Sequence, residues 1–160
     1  MTLIGIVAIA KNHAIGKGGK LPWHYPADLR FFKQATTGSA VVMGMNTWAS
    51  IGKPLPDRLN IVLSRSGNIE VQPSVVLLRS KEEVIAISAY LNCDVFIIGG
   101  AKTYESFADV IDKWIVTEVP ETIEDADVFM PANFTEAFDI QGELALGDGL
   151  MARIFQRRPN

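Results

Sequence analysis

The order of elements along the chain predicts an α/β fold: a mainly parallel sheet with helices on both faces. Three observations carry this. Short runs rich in Val and Ile, the pattern of strands buried on both sides, recur along the chain. Helical stretches with start and stop signals separate most of them. The 160 residues, 48% hydrophobic and 21% charged, suit one soluble domain (1–160) with a sizeable core.

In order, residues 2–10 read as a buried strand. "KNHAIGKGGKLPWHYP" reads as a long loop, and Gly16, Gly18 and Gly19 make it a candidate mobile segment. "PADLRFFKQATTG" reads as a helix, with Pro26 near its start and Gly38 past its end. "AVVMG" (40–44) is a strand, and "MNTWASIG" a short helix with Asn46 or Thr47 near its start as capping candidates. Residues 59–65 and 74–80 read as further strands. "SKEEVIAISAYLN" is a helix with Ser80 as N-cap and Glu83 at the capping-box spacing. "DVFIIGG" (94–100) is a buried strand, "AKTYESFADVID" a helix and "KWIVTEV" (113–119) a strand. In the tail, "AFDI" and "ARIFQRR" read as antiparallel edge strands around a Gly-rich turn.

Composition narrows the function. A formal charge of −3 argues against general nucleic-acid binding, which needs a basic face. One cysteine, Cys93, excludes an internal disulfide and fits a reducing cytoplasm. With two histidines and no C-x-x-C or H-E-x-x-H pattern, no metal site is expected. "MTLIGIVAIA" lacks the basic start of a signal peptide and is too short to cross a bilayer, so it is read as the first strand, with no membrane association.

Ligands of open α/β sheets bind beyond the carboxyl ends of the strands. Three of those ends stand out. "FIIGGAKTYE" puts Gly99 and Gly100 between a strand and a helix, where backbone can approach a ligand and free N–H groups can meet an anion. "VVMGMNTWAS" repeats the arrangement at Gly44, Asn46 and Thr47. "IVLSRS" joins Ser64, Arg65 and Ser66, a set suited to a phosphate monoester. Each alone is also an ordinary turn or cap; together they suggest one long phosphate-bearing ligand such as a dinucleotide.

"LPWHYPADLRFFK" places one acid, Asp28, among apolar side chains. Its position in a first helical turn suits the helix dipole. Yet Phe31 and Phe32 lie three and four residues on, and burying an unpaired carboxylate costs several kcal/mol, about 3–5 when a partner is missing. A buried Asp28 needs a partner from elsewhere, a ligand included.

Taken together, "AIGKGGKLPWHYPADLRFFK", "VVMGMNTWASIGKPLPDRLNIVLSR", "VFIIGGAKTYE" and "VTEV", in this order and spacing, resemble the bacterial dihydrofolate reductases along nearly the whole chain. The resemblance implies a mostly parallel eight-stranded sheet with an antiparallel C-terminal edge and four main helices. It also implies hydride transfer from NADPH to 7,8-dihydrofolate, giving tetrahydrofolate, by a cytoplasmic monomer open to antifolate inhibitors. Asp28 matches the pterin-binding acid and Thr117 the threonine that hydrogen-bonds it. Ile6, Leu29, Phe32, Ile51 and Leu55 match the walls around the pterin and benzoyl rings, and Arg58 the partner of the substrate's glutamate carboxylate. Ala8 and Ile15 match backbone contacts to the nicotinamide amide, and Tyr104 a tyrosine beside that ring. Gly99 and Gly100 match a glycine pair joined by a cis peptide. Gly100, Ala101, Lys102 and Thr103, with Gly44, Asn46 and Thr47, match the pyrophosphate cradle; Ser64 and Arg65 match the 2′-phosphate site. Gly16 and Leu21, in the Gly-rich loop before Trp23, match the lid that closes over the nicotinamide, and Trp23 matches a site tryptophan paired with the acid. Water near Leu21, rather than Asp28, is expected to protonate pterin N5.

The chain departs from that pattern at Met45, where family members usually carry an arginine toward the adenosine phosphate. A charge-assisted hydrogen bond is worth roughly 1.5–3 kcal/mol. "LMARIF" and "EDADVFMP" also differ from the family's usual tail and turn. Three other readings compete: a pyrimidine reductase of riboflavin synthesis, a non-catalytic nucleotide-binding protein on this fold, and a purely structural domain.

Overall fold

The computed structural model describes residues 2–160. Its centre is an eight-stranded sheet. The strands are β1 (Leu3–Ile9), β3 (Ala40–Gly44), β4 (Leu59–Leu63), β5 (Val75–Leu78), β6 (Val95–Gly99), β7 (Lys113–Glu118), β9 (Phe138–Gly147) and β10 (Leu150–Arg157). Their order is β5-β4-β3-β6-β1-β7-β10-β9, parallel from β5 through β7 and antiparallel across β10 and β9. Two short strands, β2 (Ala14–Gly16) and β8 (Val128–Phe129), pair separately.

Helices α1 (Pro26–Thr36) and α2 (Met45–Ile51) share a cluster with Ile4, Ile6, Val41, Met43 and Phe96 on one face. Helices α3 (Lys81–Ser88) and α4 (Ala101–Phe107) pack with Val7, Val42, Ile97 and Trp114 on the other. Burial on both faces explains why the central strands are apolar runs rather than alternations. On the α3/α4 face packing is close: a Cβ at Gly5 would lie 2.4 Å from the Trp114 ring.

Three local expectations change. The loop over residues 11–25 is not structureless, because it contains β2, and "EDADVFMP" contributes β8. Ser80 does cap α3, accepting from Glu83 N at 3.2 Å, but the Glu83 carboxylate accepts from Arg79 N rather than from the cap residue. Helix α2 begins after Gly44, with no side-chain cap, so neither Asn46 nor Thr47 serves as one.

Candidate active site

Asp28 sits in the first turn of α1, after Pro26, its backbone N–H donating to Tyr25 O at 3.0 Å. The side chain is half-buried, and no cation pairs with it among the described residues. Burial pushes its carboxyl pKa up; the neighbouring Trp23 indole acts in the opposite sense. That contact does not reach good hydrogen-bond geometry, for Trp23 Nε1 is buried without a partner. A destabilised carboxylate and an unsatisfied donor thus stand side by side. Buried polar groups are otherwise almost always paired, so such a pair marks a place where a ligand completes the bonding.

Trp23 is anchored beside Ala10, Ala27 and Val119, with Ala8 against them. Ile6, Phe32, Ile51 and Leu55 come together in the α1/α2 cluster. Leu29 does not join it: Leu29 is 50% exposed and Leu21 51% exposed. Thr117 is buried and opposite Ala8 in the β1–β7 register. Two residues past Ile115, it points to the α1 face of the sheet. The expected direct bond from Thr117 to Asp28 is not made among the described residues, since neither side chain has a hydrogen bond to the other. Tyr104 reaches the same region from α4. Its hydroxyl donates to Ile6 O at 2.7 Å, and burial, with Asp28 nearby, pushes its pKa well up.

Arg58 is buried at the far end of α1. Its Nε donates to Pro56 O at 2.8 Å and its Nη1 to Thr36 Oγ1 at 3.0 Å, with the guanidinium 6.0 Å from the Phe32 ring centre.

The two glycine-bearing strand ends are neighbours, with Met43 opposite Gly99. A Cβ at Gly44 would lie 2.9 Å from Thr103 Oγ1, and one at Gly99 or Gly100 would lie 3.6 Å from Thr47 Oγ1. The starts of α2 and α4 therefore face each other across bare backbone, neither with a side-chain cap. Ala101, Lys102 and Thr103 form the first turn of α4, and the Gly99–Gly100 peptide is cis. Beyond β4, Ser64 Oγ accepts from Gly67 N at 3.0 Å, and Met45 packs against that turn: a Cβ at Gly67 would lie 2.7 Å from its Cε. Arg65 and Arg79 line a cleft of about 220 Å³ there. Sequence reading missed Arg79, although "LLRS" ends a strand with a cation and a hydroxyl just as "IVLSRS" does.

The segment over residues 11–25 is held against residues 121–130. Gly18 N donates to Asp127 Oδ2 at 3.0 Å, Asn12 Nδ2 to Ile123 O at 2.9 Å, and Lys17 pairs with Asp125. Ile15 and Gly16 lie on β2, where Gly16 O accepts from Asp127 N at 3.1 Å. The "EDADVFMP" turn thus supplies the acids, Asp125 and Asp127, that hold this segment.

The dihydrofolate reductase family model matches residues 2–146. The chain belongs to the dihydrofolate reductase family. It is 38% identical over 141 residues to the dihydrofolate reductase of Haemophilus influenzae, covering 88% of this chain and 86% of that one. It is 35% identical to that of Staphylococcus aureus, covering 90% and 89%. A solved structure of dihydrofolate reductase from Enterococcus faecalis, complexed with NADP(H) and RAB-propyl, superposes with a TM-score of 0.90 at 29% identity, covering 99% and 97%. The family membership, with that NADP(H) complex, makes the chain an NADPH-dependent dihydrofolate reductase and sets aside the pyrimidine-reductase and non-catalytic readings.

Proposed function

We propose that the residues of this chain divide the reduction of 7,8-dihydrofolate between a pterin site around Asp28 and a cofactor cradle across the ends of β3, β4 and β6. The carrying observation is the half-buried Asp28, with no cation beside it, next to the orphaned Trp23 N–H. The pterin 2-amino group and N3 are donors at the spacing a carboxylate accepts in two parallel bonds. They supply the partner that the protein does not. Ile6, Phe32, Ile51 and Leu55 flank the rings, with Leu29 at the mouth. Arg58 takes the substrate's glutamate carboxylate.

NADPH fits the cradle, because a side chain at Gly44 would press on Thr103 Oγ1, and Gly99 and Gly100 leave bare backbone beside Thr47. When bound, it supplies the hydride that reduces the pterin. Gly44, Met45, Asn46 and Thr47 on one side and Gly99 to Thr103 on the other hold its pyrophosphate; Ser64 and Arg65 hold the 2′-phosphate. Ala8, Ile15 and Tyr104 border the nicotinamide. Leu21 and Trp23 cover it and keep out bulk water, which strengthens every electrostatic contact beneath. Asp28 orients and polarises the pterin, and N5 takes its proton from water admitted beside the half-exposed Leu21. The same pocket accepts antifolates, and the chain acts as a cytoplasmic monomer.

The test is NADPH oxidation with dihydrofolate, followed by absorbance. Dihydrofolate-dependent oxidation that collapses in Asp28→Asn supports the reading. Full activity in that variant would remove Asp28 from the pterin site.

A further inference from the structure

We infer that Arg79 is a positioning residue for cofactor selection: it fixes the Ser64–Asn68 turn and so sets how strongly Arg65 grips a 2′-phosphate. The inference rests on the reading that Ser64 and Arg65 meet that phosphate.

Arg79 follows β5 and reaches across to the turn after β4. Its Nη1 donates to Ser64 O at 3.3 Å and to Gly67 O at 2.5 Å, and its Nη2 to Asn68 Oδ1 at 3.1 Å. One planar guanidinium thus closes the turn from both ends, a geometry that a lysine ammonium does not reproduce. Few other contacts define the turn: the Ser64 Oγ bond from Gly67 N and the Met45 side chain beneath Gly67. Arg65, Ser66 and Asn68 are exposed. A short exposed segment loses conformational freedom when a ligand orders it, and that loss weakens binding unless the segment is already ordered.

The cleft chemistry separates the two arginines. Arg65 and Arg79 both line it, with Leu63, Ser80, Lys81, Ser106 and one acid, Glu82. Lys81 is paired with Asp109 at 2.7 Å, and Ser80 Oγ is taken by Glu83 N. Arg79 commits both Nη1 donors and one Nη2 donor to the turn. Neither arginine makes an ion pair among the described residues, but Arg79 is bonded to the turn whereas Arg65 makes no side-chain hydrogen bond there, so Arg65 is the cation with all its donors open to an anion. Met45 adds packing but no charge.

The experiment measures binding of adenosine 2′,5′-bisphosphate and of 5′-AMP, and KM for NADPH and NADH. It uses the full chain, Arg65→Ala, Arg79→Met, Arg79→Lys and the Arg65→Ala/Arg79→Met double variant. Arg79→Met should weaken adenosine 2′,5′-bisphosphate binding and raise KM for NADPH by about tenfold, moving 5′-AMP and NADH by less than about twofold. Arg79→Lys should lose most of the same selectivity. In the Arg65→Ala background, Arg79→Met should add less than about twofold, the non-additivity of residues acting through one contact.

Additive losses in the double variant would make Arg79 a direct phosphate ligand and overturn the inference. So would full rescue by Arg79→Lys, equal losses for NADH and NADPH, or no loss in Arg79→Met while Arg65→Ala loses selectivity. If Arg65→Ala itself shows no selective loss, the underlying assignment of the 2′-phosphate to Arg65 fails instead.

Discussion

The two ends of α1 treat their polar groups in opposite ways. At the C-terminal end, Thr36 and Arg58 are buried and satisfied: Thr36 Oγ1 donates to Phe32 O at 2.8 Å and accepts from Arg58 Nη1, while Arg58 Nε is held by Pro56 O. At the N-terminal end, Asp28 and Trp23 are left with neither a cation nor a well-formed hydrogen bond. One helix carries a finished structural network and, two turns away, an unfinished one. Folding rarely tolerates the second, so the contrast separates a group the protein already holds in place, as Pro56 and Thr36 hold Arg58 for the carboxylate it is proposed to meet, from groups whose bonding only a ligand completes.

The largest break in that comparison comes from Asp28→Asn. Removing a carboxylate that accepts two bonds, each worth roughly 1.5–3 kcal/mol, should lower kcat/KM by about 10²–10⁴-fold in the reductase assay. The same substitution should stabilise the free protein. The folded pKa of Asp28 is raised above its ordinary value of 3.8, so the native state holds its proton longer than the unfolded chain does. Asp28 therefore costs stability at neutral pH. Thermal melts should place Asp28→Asn above the parent at pH 7, with the difference shrinking as pH falls toward 3.8. A lower melting temperature for the variant at pH 7 would contradict an unpaired Asp28.

Thr36→Val probes the satisfied end. It keeps the shape and strands a donor of Arg58, which should cost about 1–3 kcal/mol in urea unfolding. The acid limb of the kcat/KM profile, set by Asp28, should not move. A shift there would mean that the two ends of α1 are coupled.

Trp23→Phe should have a small net effect on stability, because removing a buried donor that has no partner offsets part of the cost of the void left beside Ala10, Ala27 and Val119. It also removes the indole that holds the Asp28 pKa down. The acid limb of kcat/KM should therefore move to higher pH, a shift in the direction opposite to what added solvent exposure would give. An unmoved limb would separate Trp23 from Asp28.

Much of the fold is visible in residues taken locally. "AVVMG" is β3 to the residue, and Pro26 and Gly38 bracket α1, because β-branched runs, a helix-starting proline and a glycine at φ +82 act within a few residues. β2 and β8 are three and two residues long and exist only because they pair with each other. Nothing in three residues of "AIG" marks a strand. Asn46 and Thr47 have the chemistry of caps, but Gly44 already turns the chain into α2, and neither side chain caps the helix. The glycine pair and the Ser64–Arg65 turn stood out as strand-end features; Arg79 did not, since its role depends on bonds to residues 64, 67 and 68 across the β4–β5 connection.

The sequence by itself determined the elements, their order and the chemical inventory of the site: one acid among aromatics, glycines at strand ends, cations beyond them. Periodicity and turn chemistry are local, and they survive without knowledge of the partners. Only the tertiary structure decided which polar groups are satisfied. That depends on neighbours brought from far along the chain, such as Lys17 and Asp125, 108 residues apart, and Tyr104 and Ile6, 98 apart. Whether a buried carboxylate is structural or functional is settled by what surrounds it in space, because desolvation and pairing act over a few ångströms regardless of distance in sequence.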